Sequence, residues 1–164
     1  MEFRQILELQ KENLPGALTP EQRKREGFVT LRYSLEQLLQ MQRLCPQVIA
    51  LENDFLIGYA LCLHPDLKDL VPALQPLFQI LEDRAFPPAE YRIMGQICIR
   101  KGYRGKGHFS RLYYGLRDQT KPLPLITEIS QKNTRSLHAH HKLGFQRLAV
   151  RQEGGDPWEV VVWK

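Results

Sequence analysis

The chain has no long apolar run: the longest, Phe55 to Leu63, is far short of the roughly 20 residues a membrane-spanning helix needs, so no membrane is expected among its partners. Cysteine is scarce. Cys45, Cys62 and Cys98 are an odd number at wide spacings with no C-x-x-C pair, which excludes a disulfide framework and a thiolate zinc site and leaves core thiols. The opening MEFRQ carries an acid at once and no apolar stretch follows it, so a secretory signal is not read and a cytoplasmic location is expected. Internal repeats, low-complexity tracts and linkers are likewise missing.

What is present fits one soluble domain spanning residues 1–164, with 43% hydrophobic and 25% charged residues, long enough to bury a core without disulfides or metal. The net charge of +5 raises the question of nucleic acid, and its distribution answers it. Arg23-Lys24-Arg25 is flanked by Glu21 and Glu26 and reads as a solvated helical face. The remaining excess sits in one glycine-rich turn whose only stacking aromatic is Tyr103, so nucleic acid is not expected as a partner.

Along the chain, Phe3, Ile6, Leu7 and Leu9 recur at helical spacing until Pro15-Gly16. Thr19-Pro20-Glu21-Gln22 reads as a helix start, Gly27 as its end, and Phe28 to Leu31 as a short strand. Ser34 with Gln37 opens a capping-box helix that Pro46 closes. Val48–Leu51 and Phe55–Leu63 flank Glu52-Asn53-Asp54 and predict an antiparallel hairpin. Asp66 to Arg84, interrupted by Pro72 and Pro76, predicts broken helical turns. Leu125–Ile129 is a strand, Asn133–Leu143 a helix ended by Gly144, and Phe145–Val150 with Trp158–Trp163 a closing hairpin.

The richest segment is IMGQICIRKGYRGKGHFSRLYYGL, Ile93 to Leu116. Ile93, Gly95, Ile97 and Ile99 alternate with unlike neighbours as a strand does, and Phe109, Leu112, Tyr113 and Leu116 form a helical stripe. Between them Gly102-Tyr103-Arg104-Gly105-Lys106-Gly107 allows positive φ, so that backbone N–H groups can converge on an anion at a helix N-terminus. Arg100, Lys101, Arg104 and Lys106 crowd cations into this turn with no acid among them, which suits a multiply charged ligand. It is not a P-loop, because no Gly-Lys-Ser/Thr follows.

Two motifs resemble the GNAT N-acetyltransferase superfamily. Arg104-Gly105-Lys106-Gly107-His108-Phe109 is similar to its Arg/Gln-x-x-Gly-x-Gly/Ala turn, with Phe109 where Gly or Ala is usual. Ile126 to Phe145, with Asn133, Ser136 and Lys142-Leu143-Gly144-Phe145, resembles its later strand and helix. The resemblance implies an α/β (α+β) acyl-CoA N-acyltransferase fold, with a central mixed, mostly antiparallel sheet flanked by helices and two splayed central strands, the splay arising where a bulge breaks the ladder. It implies acetyl-CoA as cosubstrate and no metal. The pantetheine arm would lie along Ile97, Cys98 and Ile99, the pyrophosphate on Arg104, Gly105, Lys106, Gly107, His108, Phe109 and Ser110, with Asn133 and Ser136 as further contacts.

The implied reaction is attack of a primary amine on the thioester, which needs a deprotonated amine, oxyanion donors and a proton for the departing sulfur. The family's usual tyrosine acid stands four residues before the helix-ending glycine, where this chain has His140; it is either the proton donor or a packing residue. Tyr113 and Tyr114 are alternatives, with Tyr113 on the apolar stripe. Glu128 is the acidic candidate for general base, or else a capping carboxylate. His138 and His141 lack a carboxylate at ligand spacing. The acceptor, small molecule or peptide or protein, is not specified, and neither is a monomer over a homodimer. The rival reading is a catalytically inactive acyl-CoA-binding module.

Overall fold

A computed structural model describes residues 2–164. The helices are α1 (Glu2–Glu12), α2 (Pro20–Glu26), α3 (Leu35–Leu44), α4 (Gln75–Asp83), α5 (His108–Thr120) and α6 (Thr134–Leu143). The strands are β1 (Val48–Glu52), β2 (Phe55–Leu63), β3 (Arg92–Ile99), β4 (Leu125–Ser130), β5 (Gln146–Glu153) and β6 (Asp156–Trp163). They form one sheet in the order β1-β2-β3-β4-β6-β5. Every neighbouring pair is antiparallel except β3 and β4, the parallel pair that α5 connects.

Local chemistry sets the helix starts. Thr19 and Ser34 each accept a bond from the backbone N–H three residues on, while Gln22 and Gln37 bond back to the cap N–H, so both helices open with orphan donors satisfied. Pro76 lies in the first turn of α4, where its missing N–H breaks no helical bond. The break expected between Pro72 and Pro76 therefore lies before the helix, in two short 3-10 segments.

The sheet separates two cores. Tyr59, Leu61 and Leu63 of β2 pack with Ile6 and Leu9 of α1, Leu38 and Met41 of α3, and Leu77, Phe78 and Leu81 of α4. Ala60 and Cys62, the alternate residues of the same strand, face Leu112, Tyr113 and Leu116 of α5. Each fully buried large side chain contributes about 1.5–3 kcal/mol, so period-2 alternation fixes the register and holds helices on both faces. Among the described residues, no helix is long and apolar enough to cross a membrane.

Phe28 to Leu31 is extended but joins no ladder, which corrects the expectation of a strand. One backbone bond, from the Val29 N–H to the Asn13 carbonyl at 3.0 Å, and two side chains hold it instead: Asn133 Nδ2 donates to the Phe28 carbonyl at 2.8 Å and Gln96 Nε2 to the Leu31 carbonyl at 2.7 Å. The segment thereby crosses the sheet just where the two central strands separate.

Candidate functional site

The separation has a local cause. In the β2 to β3 register Leu61 pairs with Gln96 and Cys62 with Met94, so Gly95 is an unpaired extra residue, a bulge that bends its strand. A Cβ on Gly95 would lie 2.6 Å from the Tyr33 hydroxyl oxygen, so only glycine fits. On the other side, β3 and β4 pair only at Arg92 with Leu125 and Ile93 with Ile126. Thr127 Oγ1 then donates to the Met94 carbonyl at 2.9 Å, and from Gly95 onward no ladder joins the two strands. The β4-facing backbone edge of Ile97 to Ile99 is left without sheet partners.

That edge forms one wall of a cleft of about 590 Å³. The glycine turn and the start of α5 form its end. Gly105 and Gly107 adopt φ of 77° and 81°, and a Cβ on either would meet nothing within 4 Å, so backbone conformation and not crowding demands glycine there. Gly107 is the N-cap of α5 with no side-chain cap, which leaves the first N–H groups of the helix for a ligand. Ile97, Cys98, Ile99, Arg104, Gly105, Gly107, His108, Phe109, Ser110, Asn133 and Ser136 all line this cleft; Lys106 alone of the expected group does not. Asn133 is buried, its amide held by Phe28, and its Oδ1 has no partner.

The four cations of the turn are less free than the sequence suggests. Arg104 donates to the Ile99 carbonyl at 2.8 Å, pairs with Glu26 at 3.3 Å and reaches Asn13 Oδ1. Lys101 also meets Glu26, at 3.1 Å, and Arg100 meets Glu12 at 3.1 Å. Hydrogen bonds from Arg25 and Lys101 hold the Glu26 carboxyl below its ordinary range. Lys106 has no acid partner among the described residues and lies over the Tyr103 ring, 5.3 Å from its centroid. Arg104 thus ties the turn to the N-terminal segment while it lines the cleft.

His140 does not present a free proton. Its Nδ1 lies 2.7 Å from the Ser136 carbonyl and its Nε2 2.6 Å from the Tyr113 hydroxyl. A carbonyl only accepts, so Nδ1 carries the hydrogen and Tyr113 donates to Nε2. Burial drives the imidazole pKa down to about 4 and raises that of Tyr113 well above its usual value. Phe109 packs edge-on against both rings, at 5.0 Å from Tyr113 and 5.1 Å from His140. The bulky residue at the usual Gly or Ala position therefore covers the histidine at the usual tyrosine position. His138 lines the cleft and His141 bonds Glu159 at 3.1 Å, so the three nearby histidines face different surroundings.

Glu128 lies across the wedge, on β4. Arg151 grips both its oxygens, at 2.7 and 2.8 Å. Burial raises the Glu128 pKa and Arg151 opposes the rise.

No protein-family model matches the chain, and no curated protein matches it in sequence. Solved structures do match. The ribosomal-protein-S18-alanine N-acetyltransferase of Escherichia coli superposes with a TM-score of 0.64 at 11% identity, over 98% of this chain and 86% of that one. The fold is that of the GNAT acetyltransferases. Arabidopsis thaliana Naa50, solved with the bisubstrate analogue CoA-Ac-MVNAL, gives a TM-score of 0.64 at 14% identity over 99% and 92% of the two chains. A GNAT-family acetyltransferase from Streptococcus agalactiae gives 0.61 at 17% identity over 99% and 91%. The GNAT fold accounts for the mixed sheet, the flanking helices and the splay between β3 and β4.

Sequence reasoning missed the walls contributed from afar. Asn13, Glu26 and Val29 line the cleft, and nothing local marked them. Gly95 did carry a signal, since a lone glycine inside a strand pattern marks a bulge or a close approach.

Proposed function

We propose that residues 1–164 form one catalytic domain, an acetyl-CoA-dependent N-acetyltransferase acting on a primary amine by direct attack. The observation that carries this reading is the wedge: a bulged β3 whose open edge lines a cleft of about 590 Å³ ending in a left-handed glycine turn at a helix N-terminus. The residues fit the ligand. Backbone N–H groups from Gly105 to Ser110 suit a pyrophosphate, with Lys106 as the nearby unpaired cation. The edge of Ile97, Cys98 and Ile99 and the unpartnered Asn133 Oδ1 suit an arm bearing amide groups, and Ser136 adds a hydroxyl.

Bound acetyl-CoA supplies an activated acetyl thioester. The chain supplies position: a wall that aligns the ligand, backbone donors at the open edge of β3, and shielding from water. A thiol is a much stronger acid than water, so the sulfur leaves as a thiolate without an acid side chain and takes its proton after it departs. His140 orders α5 against α6 and is a positioning residue. Glu128 is the base candidate, acting in contact with Arg151.

The assay is acetyl-CoA-dependent thiol release over a panel of primary amines, with the acetylated product identified by mass spectrometry. Product formation supports the reading. The paired state of Glu128 and the closed hydrogen bonding of His140 favour a second reading, an acyl-CoA-binding module without turnover; ligand binding with no product from any amine selects it.

A further inference from the structure

The cleft suited to a polyanion carries one acid. Among the described residues that line it, Arg104, Arg135 and Lys142 are cations and Glu26 is the single carboxylate. Its backbone is fastened on the far side of the cleft, which is why the acid stands there. Arg135 donates to the Arg25 carbonyl at 3.0 Å and Asn133 to the Phe28 carbonyl at 2.8 Å, so the end of α2 is strapped to α6. Gly27 permits the close fit, with φ of 75° and no Cβ where one would lie 2.9 Å from Asn133 Oδ1.

From this strap the Glu26 side chain, 10% exposed, extends to the glycine turn. Oε1 meets Lys101 Nζ at 3.1 Å and Oε2 meets Arg104 at 3.3 Å. Both contacts are longer than the roughly 2.7–2.9 Å of tight charge-assisted bonds. Arg104 is held independently by its bonds to Ile99 and Asn13, so its guanidinium keeps its place when the Glu26 carboxylate swings away. Lys101 is 67% exposed and free to turn. Glu26 thus gives the cations of the turn a counter-ion from within the chain. A ligand that brings phosphates to this turn competes for the same two cations, and a carboxylate that stayed beside it would repel it.

Resting on the acetyl-CoA reading of the cleft, we propose that Glu26 is an exchangeable counter-ion: phosphates of the ligand displace it from Lys101 and Arg104, and the cost of that exchange sets the affinity of the site. The strap itself stays in place, because its bonds to Asn133 and Arg135 are made by backbone carbonyls and not by the carboxylate.

The experiment is calorimetric titration of acetyl-CoA into wild type, Glu26→Gln, Arg104→Gln and the double variant, each below its melting transition. Glu26→Gln is expected to bind about fivefold tighter, the value of one unit-charge contact at about 4 Å in a wet site. In the Arg104→Gln background the gain is expected to shrink to about twofold, since only Lys101 is then left to free. Should Glu26→Gln not fold, Glu26→Asp, which withdraws the carboxylate by one methylene from both cations, is expected to tighten binding by about twofold. Unchanged or weaker binding in the folded Glu26 variant, or a full gain that survives Arg104→Gln, overturns the exchange and leaves acetyl-CoA binding by the wild type standing. Absence of acetyl-CoA binding in the wild type and all variants overturns both readings.

Discussion

Replacing His140 with glutamine should make the protein less sensitive to acid. In the unfolded chain the imidazole titrates near 6.5, whereas burial lowers its pKa to about 4 in the fold. The folded value is depressed, so below 6.5 the unfolded state takes up a proton that the native state refuses, and stability falls as pH falls from 6.5 to 4. At about 1.4 kcal/mol for each tenfold difference in proton affinity, the full loss is about 3 kcal/mol, of which about 2 kcal/mol is reached by pH 5. Urea unfolding followed by circular dichroism reads this directly. With a slope of about 2 kcal/mol per molar urea, the wild-type midpoint should drop by about 1 M more than that of His140→Gln between pH 7 and pH 5. Parallel losses in the two proteins would refute the buried, neutral histidine and the hydrogen-bond assignment built on it.

Phe109→Ala should uncover the same ring, and the His140 pKa measured by NMR should rise from about 4 toward 6.5; an unmoved value would mean that Phe109 is not what shields it. Lys106→Gln should weaken acetyl-CoA binding with the melting temperature unchanged, whereas Arg104→Gln should lower the melting temperature as well, since Arg104 bonds Ile99, Glu26 and Asn13. Equal thermal behaviour in these two variants would contradict the division of labour. Gly95→Ala should destabilise by about 1–3 kcal/mol through overpacking, and Tyr33→Phe should relieve most of the loss by removing the oxygen 2.6 Å away; strict additivity in chemical denaturation would count against that contact. At pH 7 an α-amine near 7.8 is neutral in roughly one molecule in seven and a lysine amine near 10.4 in about one in 2,500. With Glu128 held by Arg151, α-amines should turn over faster than matched ε-amines, and the reverse order would require a strong base.

Much of the frame was readable because it rests on local physics. Capping boxes at Thr19 and Ser34, the hairpin about Asn53 and the stripe on α5 are decided within a few residues. The motif around Gly107 pointed to the fold before the wedge was visible. Long-range pairing was not readable. The pairing of Arg104 was hidden because its acid partner, Glu26, is remote in sequence; Phe28–Leu31 looked like a strand because its partners, the Asn13 carbonyl and the side chains of Gln96 and Asn133, are remote too. The same limit applies at Glu128, whose partner Arg151 lies on a strand that β4 does not touch in the ladder order. His140 shows it most clearly: position suggested a proton donor, and only the packing of Tyr113, Ser136 and Phe109 around it shows both nitrogens engaged.

Calorimetric titration of the purified protein with acetyl-CoA, once mass spectrometry has verified that no CoA has co-purified, is the most direct test of the wedge as a ligand site. One-to-one micromolar binding, weakened in Gly107→Val, is the predicted result; heat of dilution alone from ligand-free, folded protein would contradict it.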